Sequence, residues 1–102
     1  MPVTWSHTFE PGPDFVAHDG DQQVGRIWRH QHGTVKGRWF WAANGVQMDP
    51  KLLGFLLHGE VETKAEAVEA VETTWERARA WSAETGQPLL LAGPYAPPVK
   101  SS

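Results

Sequence analysis

From Lys64 to Thr85 the chain contains neither glycine nor proline, and signals that start and stop a helix bracket that stretch. Thr63 and Glu66 stand at capping-box spacing: the threonine oxygen accepts from the N–H three residues on, and the glutamate accepts from the threonine's own N–H. Gly86 supplies a left-handed cap and Pro88 prevents continuation. At about 100° per residue, Ala67, Val68, Ala70, Val71, Trp75, Ala78 and Trp81 fall within an arc of about 160°, with Glu69, Glu72 and Glu76 opposite. A long helix with one apolar face needs a partner surface, and the residues before it supply strands.

Phe15-Val16-Ala17-His18 and Gln23 to His30 flank Asp19-Gly20-Asp21, and an Asp-Gly turn between two such runs is a hairpin signal. Gly37 to Ala43 is dense in strand-favouring aromatics and ends at Asn44-Gly45. Val3 to Phe9 offers a fourth, edge strand through Val3, Trp5 and His7, closed by Glu10-Pro11-Gly12-Pro13. Asp49-Pro50 reads as an N-cap with proline at the first helical position, and Gly59 as the stop of a short helix or turn over Lys51–His58. The expected architecture is α+β: a three-stranded, or four-stranded, antiparallel meander packed on one long C-terminal helix. One domain spans 1–96 with its core in 14–86, Leu89–Leu91 pack back on it, and 97–102 form a disordered tail.

Composition narrows the function. With 102 residues and no cysteine, disulfides, thiolate metal sites and cysteine nucleophiles are excluded. No apolar run approaches the ~20 residues needed to span a bilayer, and Met1 to Glu10 carries no secretory signature, so the expected location is the cytoplasm. The net charge of −3 disfavours unspecific attraction to a phosphate backbone. It hides a segregation: residues 20–41 hold Arg26, Arg29, Lys36 and Arg38 against Asp21, while 59–85 hold seven glutamates against Lys64, Arg77 and Arg79. His30 and His32 have the spacing of half a zinc site, and half a site calls for no metal. Ser6, Ser82, Ser101 and Ser102 lie in no nucleophile elbow, and Gly25, Gly33 and Gly37 fit no phosphate-cradling pattern. Neither an enzyme nor a cofactor is expected.

Side chains alternate along strands, so Arg26 and Trp28 share one side of theirs, and Trp39 and Trp41 one side of the next. Pairing Trp28 across from Trp39 gives one face of Gly25, Ile27, Phe40 and Ala42, suited to the helix. The other face then carries Arg26, Trp28, Trp39 and Trp41, more aromatic surface than a sheet leaves to water. A one-residue shift would instead put Trp28 beside Phe40 and mix the faces. Covered by residues 46–58, by 89–94, by another protein or second copy, or by nucleic acid, this surface is the candidate binding site: Arg26, Trp28, Arg29, Arg38, Trp39 and Trp41.

Gly25-Arg26-Ile27-Trp28-Arg29, Gly37-Arg38-Trp39-Phe40-Trp41, and Thr63-Lys64-Ala65-Glu66-Ala67 with Trp75 together resemble a group of small alphaproteobacterial proteins of no assigned activity. The resemblance spans about residues 14–85. A weaker likeness is to three-stranded-sheet-plus-helix DNA-binding domains of the plant ethylene-response and phage-integrase arm-binding kind. It implies that Arg26, Arg29 and Arg38 would meet phosphates from the open sheet face. The sequence therefore reads first as a non-enzymatic binding or protein-interaction module with a protein partner or homodimer, and second as a nucleic-acid-binding domain.

Overall fold

A computed structural model describes residues 3–7, 14–29 and 37–91. Strands β1 (Thr4–His7), β2 (Asp14–Asp19), β3 (Gln22–Arg29), β4 (Trp39–Ala42) and β5 (His58–Val61) form one antiparallel sheet in sequence order, with α1 (Pro50–Leu53) between β4 and β5 and α2 (Lys64–Thr85) closing the chain of elements. The fold is α+β, as the sequence indicates, with five strands where three or four were expected. His30, His32, Lys36 and the 97–102 tail lie outside the described residues.

The locally encoded elements form where their signals stand. Thr63 Oγ1 accepts from the Glu66 N–H at 3.1 Å and Glu66 Oε1 accepts from the Thr63 N–H at 3.1 Å, so the capping box closes. Gly86 takes φ 73°, and its N–H reaches the Ser82 carbonyl at 2.9 Å. Gly20 takes φ 65° in the β2–β3 turn. Asp49 caps α1 through the Lys51 N–H at 2.9 Å, but that helix stops at Gly54, φ 86°, instead of running to Gly59. Ending α1 early frees His58–Val61 to become β5, a strand the sequence reading took for the end of a helix.

The sheet register is shifted by one residue from the expected pairing. Trp28 stands opposite Phe40, Arg29 opposite Trp39, and Ile27 opposite Trp41. The side of the sheet facing α2 therefore carries Trp5, Phe15, Ala17, Gly25, Ile27, Trp39 and Trp41, while Arg26, Trp28, Phe40 and Ala42 occupy the outer side. Burial explains the choice. Two indoles beside Ile27 remove more apolar surface from water than Phe40 and Ala42 would, and a slip of one residue would expel them.

Room for the helix and for the Trp41 indole comes from glycines. A Cβ on Gly25 would stand 2.7 Å from Val71 Cγ1, so α2 rests directly on this glycine. A Cβ on Gly59 would stand 2.8 Å from Trp41 Nε1, so the Trp41 ring lies over β5. Ala17, Val24, Ile27, Trp39, Val46 and Leu53 join Ala67, Val71, Trp75 and Ala78 of α2 in one core. Thr74 is buried as well, whereas Val68 and Trp81 pack at the core margin. Two indole N–H groups tie α2 to the sheet from the side: Trp5 donates to Glu72 at 2.8 Å and Trp75 to Asp19 at 2.9 Å. Glu72, expected to face water only, is thus an anchor. Leu91 bridges Val46 and the Leu90 carbonyl accepts from Gln47, so the 89–91 segment does return to the domain, leaving Leu90 exposed.

Candidate functional site

The shift in register divides the expected set of site residues. Trp39, 8% exposed, belongs to the core, and Trp41, half-buried, packs against that core from the helix side of the sheet, so neither stands on the outer face with Arg26 and Trp28. Arg29 alternates to the helix side of the sheet and is exposed at the end of β3. Arg26, Trp28 and Arg38 remain on the outer face. Phe40 joins them, a residue the sequence reading placed under the helix; its signal was the alternative register.

On that face the central strands β3 and β4 hold Trp28 and Phe40 opposite each other, ring centroids 5.7 Å apart and planes inclined by 30°. The Arg26 guanidinium lies 4.8 Å from the Trp28 ring centroid, two residues along the same strand. Its other side grips Asp14 of β2 in a fork, Nε to Oδ1 at 2.9 Å and Nη2 to Oδ2 at 2.6 Å. These hydrogen bonds raise the Arg26 pKa above its ordinary value, burial opposing the shift and Coulombic attraction to Asp14 adding to it. Arg26 is therefore a fixed cation, neutralised by its neighbour and spread over an aromatic ring. Val16, 3% exposed and outside the main core, fills the face beside it.

Arg38 is paired in the same manner. Its Nε lies 2.9 Å from Glu60 and its Nη1 3.5 Å from Glu62, across the junction between β4 and β5. The segregation of basic and acidic segments along the chain is undone in space, because β5 carries glutamates to the arginine of the aromatic strand. Among the described residues, the outer face presents a half-buried aromatic pair at its centre and two internally compensated charge groups at its margins. The helix α2 packs on β3, β4 and β5 from the opposite side.

One open groove of about 410 Å³ lies elsewhere, between α2 and the returning segment, lined by Trp75, Arg79, Ser82, Ala83, Leu89 and Leu91. Its cation Arg79 stands 3.8 Å from both Asp19 and Glu76, and none of the expected site residues reaches it. No group of three or more potential metal ligands occurs among the described residues, and no described helix is long and apolar enough to cross a membrane. Comparison with protein-family models, with curated proteins and with solved structures finds no match to this chain.

Proposed function

We propose that this chain is a non-enzymatic protein-interaction module whose contact surface is the outer sheet face centred on Trp28 and Phe40. The observation that carries the reading is the arrangement of that face: a stacked aromatic pair on the central strands of the sheet, bordered by Asp14–Arg26 on one side and Arg38–Glu60–Glu62 on the other. Protein interfaces draw most of their energy from central aromatic and arginine side chains, and a polar rim gives them orientation. Arginines on a phosphate-binding face must be available to the backbone, whereas Arg26 and Arg38 are each engaged by carboxylates of the same face.

The test uses Trp28→Lys beside a control, Glu69→Lys, on the exposed side of α2. Thermal unfolding checks that both fold. Immobilised wild-type chain and the control retain the same set of proteins from cells of its source, and Trp28→Lys loses that set. Retention of the same proteins by Trp28→Lys refutes the assignment, and so does oligonucleotide binding by the wild type that weakens steeply with salt.

A further inference from the structure

We propose that the chain self-associates through its edge strand β1, two copies pairing antiparallel about a two-fold axis at Ser6 so that their sheets join into one. β1 pairs with β2 along Thr4–His7, and among the described residues no strand lies on its other side. Sheet edges are ordinarily protected by charge, proline or a bulge. Thr4-Trp5-Ser6-His7 has none of these, the one irregularity of the neighbouring pair lying between Ala17 and His18 of β2. The opposite edge, β5, is protected by charge: it carries Glu60, followed by Glu62, both paired with Arg38, and a second copy laid along it would have to bury that charged cluster against its own. Short as it is, β1 is held in place by the 2.8 Å bond from Trp5 Nε1 to Glu72.

Geometry and charge select a second copy as the occupant and fix the register. A two-fold axis perpendicular to the sheet keeps both α2 helices on one side and places residues of equal parity opposite each other. Centred on Trp5, it sets indole against indole and brings the two Glu72 carboxylates toward each other. Centred on Ser6, it sets Trp5 of each copy opposite His7 of the other. His7 stacks on Phe15 at 4.7 Å, and Lys64 Nζ lies 3.9 Å from the Phe15 ring centroid. Trp5 with its attached Glu72 therefore meets a column of His7, Phe15 and Lys64, carboxylate toward ammonium, and the symmetry makes this contact twice. An unrelated extended peptide would gain the backbone ladder without this complementarity.

The chain's lack of cysteine gives a clean test. Directly opposite residues in an antiparallel pair have Cα atoms about 4.5–5.5 Å apart, inside the disulfide range of about 4.4–6.8 Å. The 102-residue chain carrying Ser6→Cys is expected to cross-link to a dimer under mild oxidation. Thr4→Cys does not, because in this register the two Thr4 positions are offset by four residues, roughly 13 Å. The wild type is expected to sediment at twice 11.4 kDa as concentration rises. Lys64→Glu, which sets like charges across the axis, slows Ser6→Cys cross-linking several-fold, and salt restores it. Trp28→Lys leaves dimerisation unchanged, so the outer-face reading and this one fail separately. A wild type that keeps the single-chain mass at millimolar concentration overturns the proposal, and so does Thr4→Cys cross-linking as fast as Ser6→Cys.

Discussion

Gly25 is the point at which the sheet meets its helix, and adding one methyl there tests the register directly. An alanine Cβ would stand 2.5 Å from the Ala42 carbonyl oxygen and 2.7 Å from Val71 Cγ1. Ordinary contacts are about 3.5–4.0 Å, so the neighbours must withdraw by roughly 1 Å. Overpacking of this kind costs about 1–3 kcal/mol, and the contact with a ladder carbonyl places Gly25→Ala toward the upper end. Replacing glycine in a strand returns about 0.5–1 kcal/mol of chain entropy. The expected net loss is about 2 kcal/mol, or a fall in melting temperature of roughly 8–16 °C for a domain of this size.

The same geometry predicts a partial rescue. Val71→Ala alone destabilises through lost burial and a cavity, by about 1–3 kcal/mol. Combined with Gly25→Ala it supplies space for the new methyl, so the double variant should be more stable than the sum of the two losses by about 1 kcal/mol. The clash with Ala42 remains, and rescue stops short of the wild type. Urea unfolding followed by far-ultraviolet circular dichroism measures all four proteins. Additive losses would mean that Val71 does not rest on Gly25. A neutral or stabilising Gly25→Ala would refute the register that puts Ile27, Trp39 and Trp41 beneath α2.

Two further stability predictions follow from the contacts that hold α2. Thr63→Ala opens the capping box and is expected to cost about 1 kcal/mol with reduced helicity, while Thr63→Ser restores most of it; equal stability of all three would remove the cap from the account. Trp75→Phe keeps an aromatic ring but removes the donor to Asp19, a hydrogen bond to a charged acceptor on the order of 1.5–3 kcal/mol. In a double-mutant cycle with Asp19→Ala the two losses should be less than additive, and strict additivity would show that the pair does not hold the helix to the β2–β3 turn.

The elements that depend on neighbours in the sequence were legible. A capping box, a glycine stop and an unbroken apolar stripe specify α2 without reference to the rest of the chain, and Asp19-Gly20 specifies the β2–β3 hairpin in the same way. The β3–β4 register was not legible, for a physical reason. A two-residue turn fixes pairing, but residues 30–38 separate these strands, and both alternate faces of each are apolar: Ile27 against Trp28, and Trp39 and Trp41 against Phe40. Periodicity then has no contrast to read. The deciding information lay in Gly25 and Gly59, whose missing side chains leave room for Val71 and for the Trp41 indole. In the sequence Gly59 reads as a helix end, and that conceals β5 and with it the glutamates that neutralise Arg38.

Those same glycines determine how much of the aromatic surface can act. By admitting Val71 and the Trp41 indole on the helix side, they leave Trp28 and Phe40 as the rings that β3 and β4 show on the outer face, too little area for a standard interface of about 800 Å² per partner without a contribution from the rim. Pairing through β1 would alter that balance. The two outer faces would share one side of a continuous sheet, their β3 strands five spacings, or about 24 Å, apart. A partner with two contact points, or itself a dimer, would then be held by two Trp28 sites at once, and avidity would raise its retention beyond what one site supplies. Ser6→Lys, which opposes like charges at the axis while leaving Trp28 and Phe40 untouched, would keep the weak single-site contact and lose the excess. Retention that depends on Trp28 but is indifferent to Ser6→Lys would show that the outer face works as a single site.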